Sequence, residues 1–408
     1  MTAHTPSSPD QPRLKRSLGL TSLTLYGLGT IIGAGIYVLV GAVAGRSGMA
    51  APLSFLIAGV LAAFTGLSYA ELGQRLPEAA GAAAYAREGF KSHWMGRLTG
   101  FMTLAVAMVA AASVARGGSG YLLTMIDIPL YLASGGVIAL FTLLACWGVK
   151  ESVYVAAAMT VVELSGLLVV IIVGGPTLAD FGVRAPEMWP ADLMAWGGVM
   201  GGAFLAFFAF AGFENIVNMA EETQDVGRTL PRAVVLSIVI SALLYMLVIL
   251  ISVLSVIPED LAASTAPLCL VVNCEKSTMA FFAPIALIAT LNGVLIEIVL
   301  MARVAYGMAR RGWLPKSLAD VHPGRRTPLK ATLVVGTIIL LLASTVEFEL
   351  LARATSAMLL CVFLVVNLSL IRLKQLHPEP DIAFCVPNWA PKAGALSSIF
   401  LLGAELLS

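Results

Sequence analysis

Gly29-Thr30-Ile31-Ile32-Gly33-Ala34-Gly35-Ile36-Tyr37 sets three glycines among β-branched isoleucines in the middle of an apolar segment, residues 20–44, long enough to cross a bilayer. Glycine destabilises a helix interior by about 1 kcal/mol relative to alanine. A helix that opens at membrane depth exposes backbone polar groups, so it must line a protein cavity or hold a ligand. Packing is the other reading. Gly29 with Gly33, and Gly41 with Gly45, have the G-x-x-x-G spacing that lets membrane helices approach closely. The adjacent small residues Gly33-Ala34-Gly35 weaken the helix as well as smoothing one face, and on that ground the sequence predicts a break.

Composition sets the environment. Hydrophobic residues make up 59% of the 408 residues and charged residues 12%, against near 25% charged in soluble domains, and mean hydropathy is +0.91. The chain therefore reads as one all-α integral membrane domain, residues 18–408, behind a polar tail, 1–17, without the apolar core of a signal peptide. Spanning segments are expected at 20–44, 51–71, 94–125, 130–148, 153–174, 194–219, 233–257, 279–309, 329–346 and 350–371. An eleventh, about 394–408, follows Pro387-Asn388-Trp389-Ala390-Pro391 and reads as too short to cross in the usual way, so the chain is expected to end within helix 11.

Charge fixes the expected orientation. Basic residues crowd one set of loops: Arg13, Lys15, Arg16, Arg75, Arg87, Lys91, Arg97, Lys150, Arg228, Arg232, Arg310, Arg311, Lys316, Arg325, Arg326, Lys330, Arg372, Lys374 and Lys392. The opposite set holds Arg46, Arg184, Lys276 and Arg353. By the positive-inside rule the N-terminus is cytoplasmic, in a multi-pass protein of the plasma membrane. Cys146, Cys361 and Cys385 read as isolated thiols, while Cys269 and Cys274 share a predicted outer loop where pairing stays open.

A second interruption, Phe207-Phe208-Ala209-Phe210-Ala211-Gly212-Phe213-Glu214-Asn215, falls in the sixth segment and carries an acid. Two interrupted helices in corresponding places signal a transporter built from inverted repeats, here about 20–174 and 194–371. Broken helices free amides at one half-helix end and carbonyls at the other. An α-amino acid offers the complementary groups. Its carboxylate is expected at Ile32, Gly33, Ala34, Gly35 and Ile36, and its ammonium at Phe210, Ala211, Gly212 and Phe213. Glu214 is either a gate or coupling acid, or a structural acid bonded to the exposed backbone of the first break. Glu163 and Glu297 are further acids at membrane depth, where ionisable groups are costly and functional by default. For Glu297 an ion pair with Arg303 or Arg116 is the structural alternative.

These stretches, together with Tyr69-Ala70-Glu71-Leu72, Gly227-Arg228-Thr229-Leu230-Pro231-Arg232 and Arg303 to Pro315, resemble the amino acid/polyamine/organocation superfamily, and within it the bacterial permeases similar to cationic amino acid transporters. The resemblance runs from about residue 18 to 400. It implies a five-plus-five inverted repeat fold with helices 1 and 6 broken, substrate between them, and alternating access driven by a proton gradient or by exchange. It also implies twelve helices, of which the last is missing here. Glu163 departs from the pattern, because some proton-coupled relatives carry a lysine there in place of a sodium ion.

Other classes fit less well. His4, His93, His322 and His377 are not spaced as a metal or catalytic pair, and no nucleophile, metal triad or acid pair gathers at one depth, so neither an enzyme nor a cofactor is expected. A channel would show repeated pore rings. The expected partners are the lipid bilayer, an amino acid or amine, and a coupling proton, with no nucleic acid; a monomer and a homodimer both fit. A polyamine or sodium-coupled carrier of the same fold is the runner-up.

Overall fold

The computed structural model describes residues 18–77, 81–147, 149–274, 281–322, 327–378 and 382–407; the expected N-terminal tail lies outside them. Eleven helices of 17 residues or more occur among these residues. They are α1 (Leu20–Ser47), α2 (Ala51–Arg75), α3 (His93–Leu123), α4 (Leu130–Trp147), α5 (Val149–Gly174), α6a (Leu193–Ala209), α7 (Val226–Ser255), α8 (Phe282–Arg310), α9 (Leu329–Thr345), α10 (Phe348–Leu376) and α11 (Trp389–Leu407). A five-residue piece, α6b (Phe213–Val217), continues the sixth. Among the described residues eight helical segments are long and apolar enough to cross a membrane, one of them covering both Gly35–Ser47 of α1 and all of α2, and Leu329–Thr345 is a shorter apolar helix.

Contacts between these helices repeat when five is added to each number. Helix α1 packs on α6, α2 on α7, α3 on α8 and α4 on α9, while α1 with α7 is matched by α6 with α2, and α5 with α8 by α10 with α3. At the centre stands α1, whose Ile32, Ile36, Tyr37, Leu39, Val40 and Val43 are all fully buried. A helix apolar on every face is stable only when surrounded. Peripheral helices instead turn large apolar side chains outward, such as Leu140 and Leu143 of α4 and Val161 and Ile172 of α5.

The first expected break is not there. Helix α1 runs without interruption from Leu20 to Ser47. Its glycines are used for close approach: a Cβ on Gly35 would lie 2.5 Å from the Ala209 Cα, and one on Gly29 would lie 2.7 Å from the Thr160 hydroxyl oxygen. Intimate packing of this kind offsets a propensity penalty of about 1 kcal/mol per glycine. In this conformation the contacts of Gly29 and Gly35 follow the packing reading.

Two further expectations concern the ends of the bundle. Helix α11 has 19 residues, about 28 Å at 1.5 Å per residue, close to the hydrocarbon thickness of about 30 Å. It begins at Trp389, whose ring meets Phe64 at 5.9 Å, and it lies along α10, with Glu405 paired to Arg353. It is shorter than the 29-residue α10 and is not among the helices apolar enough over 18 residues to cross a membrane. On the predicted outer side, Cys269 and Cys274 form a disulfide at the end of the short helix Pro267–Val272.

At the opposite end the bundle is strapped. Glu71 is completely buried, 2.7 Å from Arg75 and 2.9 Å from Lys374, and its second oxygen accepts the Val386 amide at 2.8 Å. Gln74 receives the Phe384 amide at 3.2 Å. A buried carboxylate is tolerable only with partners on this scale, and together they tie residues 382–386 across the ends of α2 and α10.

Candidate functional site

The sixth helix opens where the sequence places its break. The Phe210 and Ala211 amides donate to the Phe207 and Phe208 carbonyls at 3.1 and 3.0 Å, closing α6a in a tight turn. Gly212 then takes φ 117°, a backbone region that L side chains avoid. A Cβ there would also run into the Thr30 carbonyl. The break of α6 is thus pressed onto the backbone of α1, and Thr30 Oγ1 donates across the contact to the Gly212 carbonyl at 3.1 Å.

Glu214 serves the break itself. Its Oε2 accepts the Gly212 amide at 2.9 Å, replacing a partner that a continuous helix would have supplied. The structural alternative read from sequence assigned this carboxylate to the backbone of helix 1; it belongs to helix 6. On the carbonyl side, Tyr245 of α7 brings its hydroxyl to 2.7 Å from the Ile31 carbonyl and 2.9 Å from that of Ala209, the last residue of α6a. Tyr245 therefore bridges α1 and α6a at membrane depth.

Aromatic rings wall the seam. Phe210 meets Tyr245 edge-on at 5.2 Å, and Tyr245 meets Phe55 at 6.1 Å. Phe213 packs on Phe363 at 5.1 Å and on Tyr69 at 5.6 Å. Ile32, Gly35 and Ile36 of α1 are buried, Gly35 against Ala209, while Ala211 keeps some exposure. The surroundings of Gly33 and Ala34 lie outside the described side chains.

Glu163 occupies a separate place. It is fully buried on α5, where Asn292 of α8 donates to its Oε2 at 3.1 Å and to Thr160 Oγ1 at 2.9 Å. Its other oxygen has no hydrogen-bond partner among the described residues. Its main-chain carbonyl accepts the Tyr37 hydroxyl at 2.6 Å, and the Tyr37 carbonyl accepts that of Tyr121 at 2.7 Å, a relay linking α5, α1 and α3. Glu297 is half-buried on α8, with Glu214 and Asn215 as neighbours. Neither expected arginine forms an ion pair with it among the described residues. Arg116 instead donates to the Ala343 carbonyl at 2.7 Å, at the end of α9, and Arg303 is exposed.

The structure thus brings Gly35, Phe210, Gly212 and Glu214 to one seam, adds Glu297 beside it, and leaves Glu163 on α5. Tyr245 and Asn292 were not anticipated. Each is a polar side chain inside an apolar span, and that signal was available in the sequence.

A family model described as amino acid permease matches residues 18–405. This chain belongs to that family. It is 32% identical to the branched-chain amino acid permease BcaP of Bacillus subtilis, with 95% of this chain and 87% of that protein aligned. It is 29% identical to the vacuolar cationic amino acid transporter 4 of Arabidopsis thaliana, over 90% of this chain and 64% of that protein. For cationic amino acid transporter 4 of Homo sapiens the figures are 30%, 90% and 61%. The chain spans less than two thirds of the plant and human relatives. As an amino acid permease it falls in a family of transporters and not of enzymes, in agreement with the sequence, and the resemblance to the wider superfamily holds.

Proposed function

We propose that this permease is a secondary active transporter that moves amino acids across the plasma membrane by alternating access, with its N-terminus in the cytoplasm. Substrate sits at the seam of α1 and the α6 break, and coupling is to protons or to exchange. The observation that carries this reading is the opening of α6 at Gly212 directly against the α1 backbone, which places half-helix ends and a carboxylate together at membrane depth. The ammonium of the substrate faces the carbonyl end of α6a, near Phe210 and Ala211. Its carboxylate takes amides at Gly33 to Gly35. Because α1 is continuous here, binding includes local opening of that turn, and two glycines keep the opening cheap, at about 1 kcal/mol each.

Glu214 and Glu297 act as gating or coupling acids at the seam, and Glu163 as a coupling acid behind it. The repeating helix contacts support two five-helix units, about 20–174 and 194–371, in the 18–408 domain. The relatives divide by name between branched-chain and cationic amino acids, so both classes belong in the substrate screen.

Counterflow tests the reading. Purified protein in liposomes loaded with unlabelled amino acids is expected to accumulate the labelled amino acid, and absence of counterflow for the whole standard set and for polyamines would sink it. In the same assay Glu163→Gln and Glu214→Gln are compared with wild type from acid to alkaline pH. Loss of the pH dependence in one of them identifies the coupling acid; an unchanged profile in both removes these residues from coupling.

A further inference from the structure

At the strapped end of the bundle, the first three turns of α7 and residues 383–384 line an open groove of about 710 Å³, with Arg228, Arg232, Val235, Leu236, Ala383 and Phe384 among its walls. Arg228 and Arg232 are four residues apart on one helix face, and both are exposed. Among the described residues neither has a carboxylate within ion-pair distance. Arg228 lies in the first turn of α7, where the positive end of the helix dipole favours an anion. Below Arg232 the same face continues as Leu236, Val239 and Leu243, all exposed large apolar side chains at helical spacing. The opposite wall is held in place, since the Phe384 amide is fixed by Gln74 and Val386 by Glu71.

A pair of cations at the head of an apolar stripe has the charge and polarity pattern of an anionic amphiphile standing upright in a leaflet. We propose that this groove binds an anionic phospholipid, its phosphate on Arg228 and Arg232 and an acyl chain along Leu236, Val239 and Leu243. A soluble anion would use the arginines alone, whereas a phospholipid engages the arginines and the stripe together. The site is distinct from the substrate seam, and it rests on the proposed orientation only in being assigned to the cytoplasmic leaflet. The lipid would link the start of α7 to the strap between α10 and α11.

The test is native mass spectrometry of the full chain in detergent with phosphatidylglycerol or phosphatidylcholine supplied at equal mole fraction. Wild type is expected to retain phosphatidylglycerol in preference, by roughly fivefold for each arginine engaged. The preference should disappear in Arg228→Gln/Arg232→Gln, persist in the charge-preserving Arg228→Lys/Arg232→Lys, and persist in Arg310→Gln/Arg311→Gln, which removes inner-face charge elsewhere. Equal retention of the two lipids, an unchanged preference in the glutamine pair, or full displacement by millimolar inorganic phosphate would overturn the proposal. Misfolding of the glutamine pair is recognised by its elution profile, and Leu236→Asp then serves as the second variant, expected to lose the lipid with both arginines present and to overturn the proposal if it does not. Counterflow is read separately on the same preparations: lipid preference without counterflow sinks the transport reading alone, and counterflow without lipid preference sinks this one alone.

Discussion

The glycine run of α1 and the glycine of α6 look alike in sequence and end differently. Gly33-Ala34-Gly35 lies within an unbroken helix, whereas Phe210-Ala211-Gly212 opens one. Small residues at membrane depth do not decide between packing and breaking. Two things separate the cases: Gly212 adopts a positive φ that only glycine holds easily, and Glu214, two residues on, supplies an acceptor for the amide set free. Gly35 has the flat backbone of Ala209 against it, and that contact favours a continuous helix surface. A glycine at depth becomes a break when local chemistry replaces the lost hydrogen bond.

This comparison can be broken at several points. The largest effect is expected for Gly35→Leu, which drives a side chain into the Ala209 backbone at a contact with no room to yield; overpacking of this kind costs about 1–3 kcal/mol or more. Counterflow should fall at least about tenfold while insertion persists. Wild-type uptake would show that α1 and α6a need not touch. Gly212→Ala comes next, because it combines backbone strain of about 1–2 kcal/mol with a clash at Thr30. A lowered thermal midpoint and reduced uptake are expected, and an unchanged midpoint would mean that the break tolerates another geometry. Tyr245→Phe is the mildest. It removes a bond shared by two carbonyls, and such bonds in membrane proteins average about 0.6 kcal/mol, so the expected result is a small loss of stability with a larger change in transport rate. Equal rates in the two proteins would take Tyr245 out of the moving seam.

Much of the architecture was legible because it depends on composition read along one segment at a time. Each of the eleven expected spans has its helix, and the break at Phe210 to Gly212 was readable because glycine and acid stand side by side in the chain. The continuity of α1 was not, since it depends on what Gly35 meets about 170 residues later, at Ala209. The partners of Glu163 and Glu214 were hidden for the same reason. Asn292 reaches Glu163 from another helix, and the Gly212 amide becomes available only once the chain has turned. Glu71 has Arg75 four residues on in its own helix, a pair visible in the sequence, yet its burial and its pairing with Lys374 follow from how α2 meets α10. Sequence shows which groups are costly at depth, and only the packing shows what satisfies them.

The bridge made by Tyr245 has a mechanical consequence. A phenol carries one proton, and here two carbonyls, 2.7 and 2.9 Å away, compete for it. At any instant one is bonded and the other merely touched. In the proposed alternating access, a separation of α1 from α6a would leave the proton with whichever helix α7 follows, and the seam would part for the loss of a contact and no whole bond. In that proposed cycle Tyr245 would be a clutch, in reach of both helices in this conformation and able to release either.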